Sequence, residues 1–355
     1  MGEQQTHDGP LSRESLLAAA RHGGARTFIS PSRCGVVLAG GDGWRLQSFI
    51  RRVRGGILPK QYVNFVGTRS MLEHTFHRVE RLIPADRLFT VVSRDHLRYP
   101  EVRRQLAGRP NGTVILQPEN RETGPGLLLP LMHLHAQFGD ALVAVFPSDH
   151  FILDEAAFMG HVDLACRAVE RDPSCVVLLG MEPEGPEPEY GYILPDSDDG
   201  QSKPSSARPL SCFIEKPGTD VARDLILRGG LWNTLVMAFQ VKTLLGLVRE
   251  VTPDLYRAFE QIGVAIGTSC EAEVVETTYR MMERVNLSRD VLEVLARRRP
   301  SPLRVLPVRG VGWNDWGSEE RIVKDLKDTG CAGRMYSSPP VVETVLREKR
   351  LNAQA

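Results

Sequence analysis

The chain has 355 residues, 42% hydrophobic and 25% charged, which is enough apolar material for one large core or two ordinary ones and excludes disorder as its general state. Lysine plus arginine and aspartate plus glutamate number 44 each, so the formal net charge is zero. That balance argues against a nucleic-acid coat or a broad polyanion binder and confines any charge-driven chemistry to a local site.

Six cysteines, Cys34, Cys166, Cys175, Cys212, Cys270 and Cys331, are widely scattered, with no C-x-x-C pair and no tight His/Cys cluster of the kind zinc needs. They read mostly as buried thiols of a reducing, cytoplasmic compartment. The first thirty residues carry Glu3, Asp8, Arg13, Glu14, Arg21 and Arg26 without the apolar run of a signal core. No stretch approaches the roughly 20 apolar residues of a membrane span, so no membrane partner is expected.

Residues 1–32 read as a polar arm holding one short helix at Ser12 to Arg21. From Cys34 onward, short β-rich runs alternate with helical segments, the pattern of a parallel sheet covered by helices. Gly35 to Ala39 is a buried strand, Ser70 to Leu82 a helix, Leu88 to Val92 and Val114 to Leu116 strands, and Gly126 to Gln137 a helix. Ala141 to Phe146, apolar throughout, fits the centre of a parallel sheet. A helix at Ala156 to Glu170 and a strand at Cys175 to Leu179 follow. Asp196 to Pro209, rich in Asp, Ser, Gly and Pro, reads as a loop between strands at Tyr190 to Leu194 and Ser211 to Lys216. Two helices fill Val241 to Gly263 and a third lies near Glu271 to Arg284. A strand at Leu303 to Val308 and a helix at Ser318 to Leu326 close the pattern, with no internal repeat. The organisation is an arm over 1–32, one domain over 33–327 and a tail over 328–355.

Gly40-Gly41-Asp42-Gly43-Trp44-Arg45 follows the first strand directly, and glycines there let the backbone turn tightly and present N–H groups to an anion or a flat ligand. It is not a P-loop, since no Gly-Lys-Ser/Thr follows, and Leu46 breaks the dinucleotide fingerprint. Between Gly43 and Leu72 stand Arg45, Arg51, Arg52, Arg54, Lys60 and Arg69 with no acid, a stretch suited either to a triphosphate or to a solvated basic loop.

The run from Leu38 to Leu46, followed by Pro59-Lys60-Gln61-Tyr62, resembles the signature of the sugar-phosphate nucleotidyltransferases. Gln117 to Thr123, Pro147-Ser148-Asp149-His150, Tyr190-Gly191-Tyr192-Ile193, Phe213 to Pro217, Leu231-Trp232-Asn233 and Gly312 to Ser318 match in family order across residues 34–320. Pro-Lys-Gln, Gln-Pro-x-Asn-Arg, Pro-Ser-Asp-His and Leu-Trp-Asn are most similar to the mannose-1-phosphate guanylyltransferases. The resemblance implies an α/β fold, a Rossmann-like mixed, mostly parallel sheet with helices on both faces. It also implies an enzyme that joins GTP and mannose 1-phosphate into GDP-mannose and pyrophosphate with Mg2+.

By the same resemblance Arg45, Lys60 and Lys216 contact phosphates as catalytic residues, and Asp149 and Asp315 hold the metal. Leu38, Ala39, Gly40, Gly41, Gly43, Gln117, Arg121 and Thr123 form the nucleotide site, and Gly191, Glu215 and Asn233 the sugar site. Association into a homodimer is an analogy with the family. His133 and His135, two apart on a helix, point in different directions and read as ordinary helix residues, while His150 reads as a structural hydrogen-bonding group.

Trp44 replaces the usual Thr, the segment from Arg45 to Pro59 is longer than the family spacing, Gln47-Ser48-Phe49 departs from the usual sequence and Gly124 stands where Ala is common. These departures bear on nucleotide geometry and base choice. Ser288 stands where the family often has an Asp before Glu293, so Glu293 receives no role. The residues after Leu326 are too few for the cupin or β-helix domain of some relatives, and isomerase activity is not expected. Two alternatives remain: UDP- or dTDP-sugar synthesis by the same mechanism, and a silent nucleotide-sugar-binding regulatory subunit.

Overall fold

Short β-branched and leucine-rich runs bounded by turns become the strands of this fold. The computed structural model describes residues 33–196 and 206–329. β1 (Arg33–Ala39), β2 (Leu88–Ser93), β3 (Val114–Gln117) and β4 (Leu142–Pro147) pair in parallel in the order β3-β2-β1-β4. The nine-stranded sheet continues as β9 (Leu231–Gln240), β6 (Val176–Met181), β10 (Leu303–Val308), β8 (Arg208–Ile214) and β7 (Tyr192–Pro195). β8 and β9 run against the other seven strands. The expected mixed, mostly parallel α/β sheet is therefore present.

Alternating side chains feed two cores, one on each face. Val37, Ala144 and Val177 join one apolar cluster; Val36, Val143 and Val176 join the other. Every residue of β4 is buried, as its unbroken apolar sequence requires. On the first face pack α2 (Met71–Val79) and α5 (Glu155–Arg171); on the second, α4 (Thr123–Phe138), α7 (Val241–Val251), α8 (Pro253–Ala265) and α9 (Glu271–Met281). Ser70 and Glu73 form a capping box that starts α2, and the helix stops at Val79, short of the expected Leu82. Asp154 caps α5 and Ser318 caps α11 (Glu319–Asp328) through their side chains.

α1 (Gln47–Arg54), α3 (Pro100–Leu106), α6 (Thr219–Leu227) and α10 (Glu293–Ala296) complete the helices. α1 fills the long Arg45-to-Pro59 segment: Phe49, Ile50 and Val53 are buried, and the arginines face outward. Arg52 pairs with Glu319 and Arg54 with Glu101. These two members of the basic stretch are thus engaged at the surface rather than gathered on one phosphate site.

β9 was not legible as a strand, because Asn233 and Thr234 interrupt its apolar run and its pairing with β6 shifts register between Leu178 and Gly180. The loop expected over 196–209 is shorter than that span, since β8 begins at Arg208; 197–205 lies outside the described residues, as does the helix expected at Ser12 to Arg21. Among the described cysteines, Cys34, Cys166 and Cys175 are buried free thiols, as expected for most of them, while Cys212 is half-buried and Cys270 exposed. Among the described residues no helix is long and apolar enough to cross a membrane.

A second, two-stranded sheet positions the site. β5 (Phe151–Ile152) pairs antiparallel with β11 (Trp313–Asn314), placing Trp313 opposite Ile152. The loop before β5 carries Asp149 and the loop after β11 carries Asp315, so this pairing draws together residues far apart in sequence.

Candidate active site

Ligand chemistry in an open α/β sheet gathers beyond the C-terminal ends of its parallel strands, and the glycine loop leaves β1 there. Gly43 has φ 62°, in the left-handed region, and an added Cβ would lie 3.3 Å from Lys60, so glycine permits the turn to close against that lysine. Gln61 secures the loop: its Nε2 donates to the carbonyls of Ala39 (2.9 Å) and Gly41 (2.7 Å). A cavity of about 220 Å³ beside the loop is lined by Leu38, Gly40, Gly41, Gly43, Gln117 and Thr123, together with Asp149. Ala39 is buried and Arg121 does not line the cavity; the Arg121 guanidinium bonds Glu119 and the Arg280 carbonyl. Two larger cavities, of 1290 and 550 Å³, lie along β3 and α9 and beside α2, and neither is lined by the glycine loop.

Lys60 joins the two carboxylate loops. It is buried, its Nζ lies 3.0 Å from Asp149 Oδ2, and it donates to the backbone carbonyl of Asp315. Burial opposes the charge on Asp149, but Lys60 and neighbouring His150 outweigh it and hold the carboxyl below the ordinary aspartate range. His150 accepts the Trp313 indole N–H at 3.1 Å through Nδ1, and burial brings its pKa down to about 4. It is thus a neutral structural group, as expected.

Asp315 Oδ1 accepts the Tyr190 hydroxyl at 2.9 Å and the Gly317 N–H at 2.8 Å. Burial and Asp315 both push the Tyr190 hydroxyl well above its usual range, so it stays a donor. Arg321 stands 3.4 Å from the same oxygen, 2.8 Å from Glu187 and 3.5 Å from Glu189, with its guanidinium 4.9 Å from the Tyr190 ring centre. Glu189 also pairs with the exposed Arg45. The loop arginine is therefore linked to Asp315 through Glu189 and Arg321. An exposed pair of this kind contributes only about 0–1 kcal/mol, so Arg45 is readily surrendered to a stronger anion.

The strand ends of β7, β8 and β9 bring Gly191, Glu215 and Asn233 together. Asn233 N–H donates to the Gly191 carbonyl at 2.7 Å, and a Cβ on Gly191 would stand 2.6 Å from Glu215 Oε2. Burial and Glu293 raise the Glu215 carboxyl against the lowering effect of Lys216. Glu293, given no role from sequence, accepts the Glu215 N–H at 3.2 Å, and Ser288 accepts a 3.4 Å bond from Asn233. Lys216 is exposed at the end of β8.

Backbone strain marks the same ground. The non-glycine residues with positive φ among those described are Glu122, Lys216, Leu235 and Trp316, all inside or beside the matched motifs. Such conformations cost about 1–3 kcal/mol each and persist where packing over-determines them. Sequence reasoning missed Tyr190 as a partner of Asp315, and also Glu189, Arg321, and the Asp42, Tyr62 and His96 group. Their roles depend on contacts between distant segments; only the placement of Asp42, Tyr62 and Tyr190 inside matched motifs signalled them.

The residues fit magnesium. Among the described residues no cluster of three or more His, Cys, Asp or Glu is arranged to hold a metal. Magnesium is commonly bound by one or two carboxylates plus water and substrate phosphate, which suits Asp149, whose carboxylate meets the Lys60 ammonium, together with Asp315, whose loop reaches the same ammonium through its backbone carbonyl. The side-chain hydrogen bonds of Asp315 fall on Oδ1, leaving Oδ2 for a cation.

XanB, a xanthan biosynthesis protein of Xanthomonas campestris pv. campestris (strain B100), is 28% identical over 292 residues, covering 80% of this chain and 57% of XanB. The mannose-1-phosphate guanylyltransferase RfbM of Salmonella typhimurium (strain LT2) is 27% identical over 286 residues, covering 80% and 56%. The chain thus spans a little over half the length of these curated relatives. The crystal structure of mannose-1-phosphate geranyltransferase from Thermus thermophilus superposes with a TM-score of 0.66 at 27% identity, covering 82% of this chain and 79% of that one. The model of the nucleotidyl transferase family matches residues 34–329, and the chain belongs to that family.

Proposed function

We propose that the protein transfers a guanylyl group from GTP to mannose 1-phosphate, giving GDP-mannose and pyrophosphate. The observation that carries this reading is Lys60, held between the Asp149 carboxylate and the Asp315 loop beside the glycine-loop cavity. The mannose-1-phosphate guanylyltransferase name of RfbM supports the choice of substrates. Gln117 supports a base bearing N–H donors: it is buried, its Nε2 faces the Gly40 carbonyl at 3.4 Å, and its Oε1 has no protein partner.

In the reaction an oxygen of the sugar phosphate attacks the α-phosphorus, and the bond to the bridging oxygen of pyrophosphate breaks. Both reactants are polyanions, so positioning and charge neutralisation carry the catalysis, and no protein nucleophile is needed. The glycine loop receives the nucleotide, and Lys60 and Arg45 draw in the triphosphate, Arg45 leaving Glu189 to do so. Lys216 approaches the sugar phosphate, while Glu215, Asn233 and the Gly191 backbone orient the ring. Asp149 and Asp315 would hold magnesium, which when bound supplies Lewis-acid neutralisation of the phosphate oxygens.

A panel of triphosphates against sugar 1-phosphates, read by pyrophosphate release, tests the substrate pair: GTP with mannose 1-phosphate is expected to give the highest kcat/KM. A dTTP or UTP pair that outpaces it would transfer the reading to another nucleotide sugar. Gly191→Ala is expected to raise the KM for the sugar phosphate at least about tenfold, because the methyl group meets Glu215, while the KM for GTP stays near that of the parent. Steady-state kinetics with each substrate varied in turn check the split.

A further inference from the structure

His96 lies buried in the turn after β2, and no step above uses it. Its Nε2 is 3.1 Å from Asp42 Oδ1 on the glycine loop and its Nδ1 is 3.1 Å from the Tyr62 hydroxyl, which in turn lies 3.2 Å from the Ala39 carbonyl oxygen. The two ends of this chain, a carboxylate and a carbonyl, can only accept. Three contacts therefore require three protons. A neutral imidazole brings one and the tyrosine another, so one contact goes unmet. A second proton on the ring completes the set: Nε2–H donates to Asp42, Nδ1–H to the Tyr62 oxygen, and the Tyr62 O–H to Ala39.

We propose that His96 is a positioning residue for the glycine loop, and that its doubly protonated form closes an unbroken hydrogen-bond chain from Asp42 to Ala39 that pre-organises the loop for a nucleoside triphosphate. The proposal rests on the nucleotide-site reading given above. The titratable and charged groups facing the ring are Asp42 from the glycine loop, Tyr62 from the turn after Pro59, and Asp95 and Arg98 on its own turn. Burial lowers the affinity of the ring for a second proton, and Arg98 adds to this, while Asp42 and Asp95 oppose it. The neutral form accordingly prevails at neutral pH, and the chain closes on acidification below the ordinary histidine value of about 6.5. Protonation favours the ordered loop and the ordered loop favours nucleotide, so by linkage triphosphate affinity gains as pH falls through this titration.

The test is calorimetric binding of GTP to the full chain, without sugar phosphate, from about pH 8 to about pH 5 in the parent, His96→Gln and Tyr62→Phe proteins. Protonation of GTP itself acts equally on all three. Relative to both variants, the parent is expected to gain roughly fivefold in affinity on acidification, the value of one hydrogen bond. Tyr62→Phe keeps the imidazole and Asp42 but removes the middle of the chain, so it carries the test if His96→Gln folds poorly. Parallel profiles in the parent and the folded variants, or a parent that loses affinity relative to them in acid, would overturn the proposal and leave the nucleotide site standing. Absence of GTP binding by the parent across the whole range would overturn the nucleotide reading and this proposal with it.

Discussion

Asp315→Asn is expected to lower kcat about a hundredfold, equivalent to about 3 kcal/mol of transition-state stabilisation, and to raise the magnesium concentration needed for half-maximal rate. Asparagine retains an oxygen able to accept from Tyr190 and Gly317, so the loop geometry survives and the thermal midpoint stays close to that of the parent. What is lost is the charge on the oxygen left for the cation. Kinetics over a magnesium titration, paired with a thermal melt, separate the two effects. Unchanged turnover at limiting magnesium would reject Asp315 as a metal ligand.

Lys60→Ala carries the second large expectation. The substitution removes the cation beside Asp149 and a donor to the Asp315 carbonyl, and both carboxylate loops lose their common anchor. KM for GTP is expected to rise and kcat to fall, together lowering kcat/KM about a hundredfold or more, with the KM for the sugar phosphate little changed. An effect confined to sugar selectivity would contradict the phosphate assignment.

Stability responds as well. Asp149 is 38% exposed in its side chain, so loss of the pair is expected to cost about 1–2 kcal/mol, less than for a fully buried pair. The Asp149 carboxyl titrates lower in the folded protein than in the unfolded chain, so the pair stabilises fully above the ordinary aspartate range and fades as pH falls through the folded value. The Lys60→Ala protein should therefore lose less stability on acidification than its parent, a difference that denaturant titrations at neutral and acidic pH would measure.

The sequence was most informative where periodicity and motif coincide. β4 reads as a central strand because it is apolar at every position, and β1 because a glycine loop follows it. β9 escaped because a polar motif occupies its first half, although its second half is buried between β4 and β6. The site shows the same division. Lys60, Asp149 and Asp315 could be named from motifs, but their meeting depends on the pairing of β5 with β11, two strands of two residues each that no periodicity detects. Glu189 and Arg321 carry no pattern at all: each reads as an ordinary surface charge until the segment before β7 meets α11. The long segment after Arg45, whose charges suit a triphosphate or a solvated loop, folds over Gln47–Arg54 as an amphipathic helix, with Arg52 and Arg54 engaged in ion pairs.

Guanylyl transfer to the sugar phosphate is followed atom by atom in 31P NMR of the full chain with GTP, mannose 1-phosphate and magnesium. The sugar phosphate resonance is expected to be replaced by the paired diphosphate resonances of a nucleotide sugar, with inorganic pyrophosphate appearing in equal amount and no inorganic phosphate. Release of inorganic phosphate from GTP, or persistence of both substrates in a protein that binds them, would contradict guanylyl transfer.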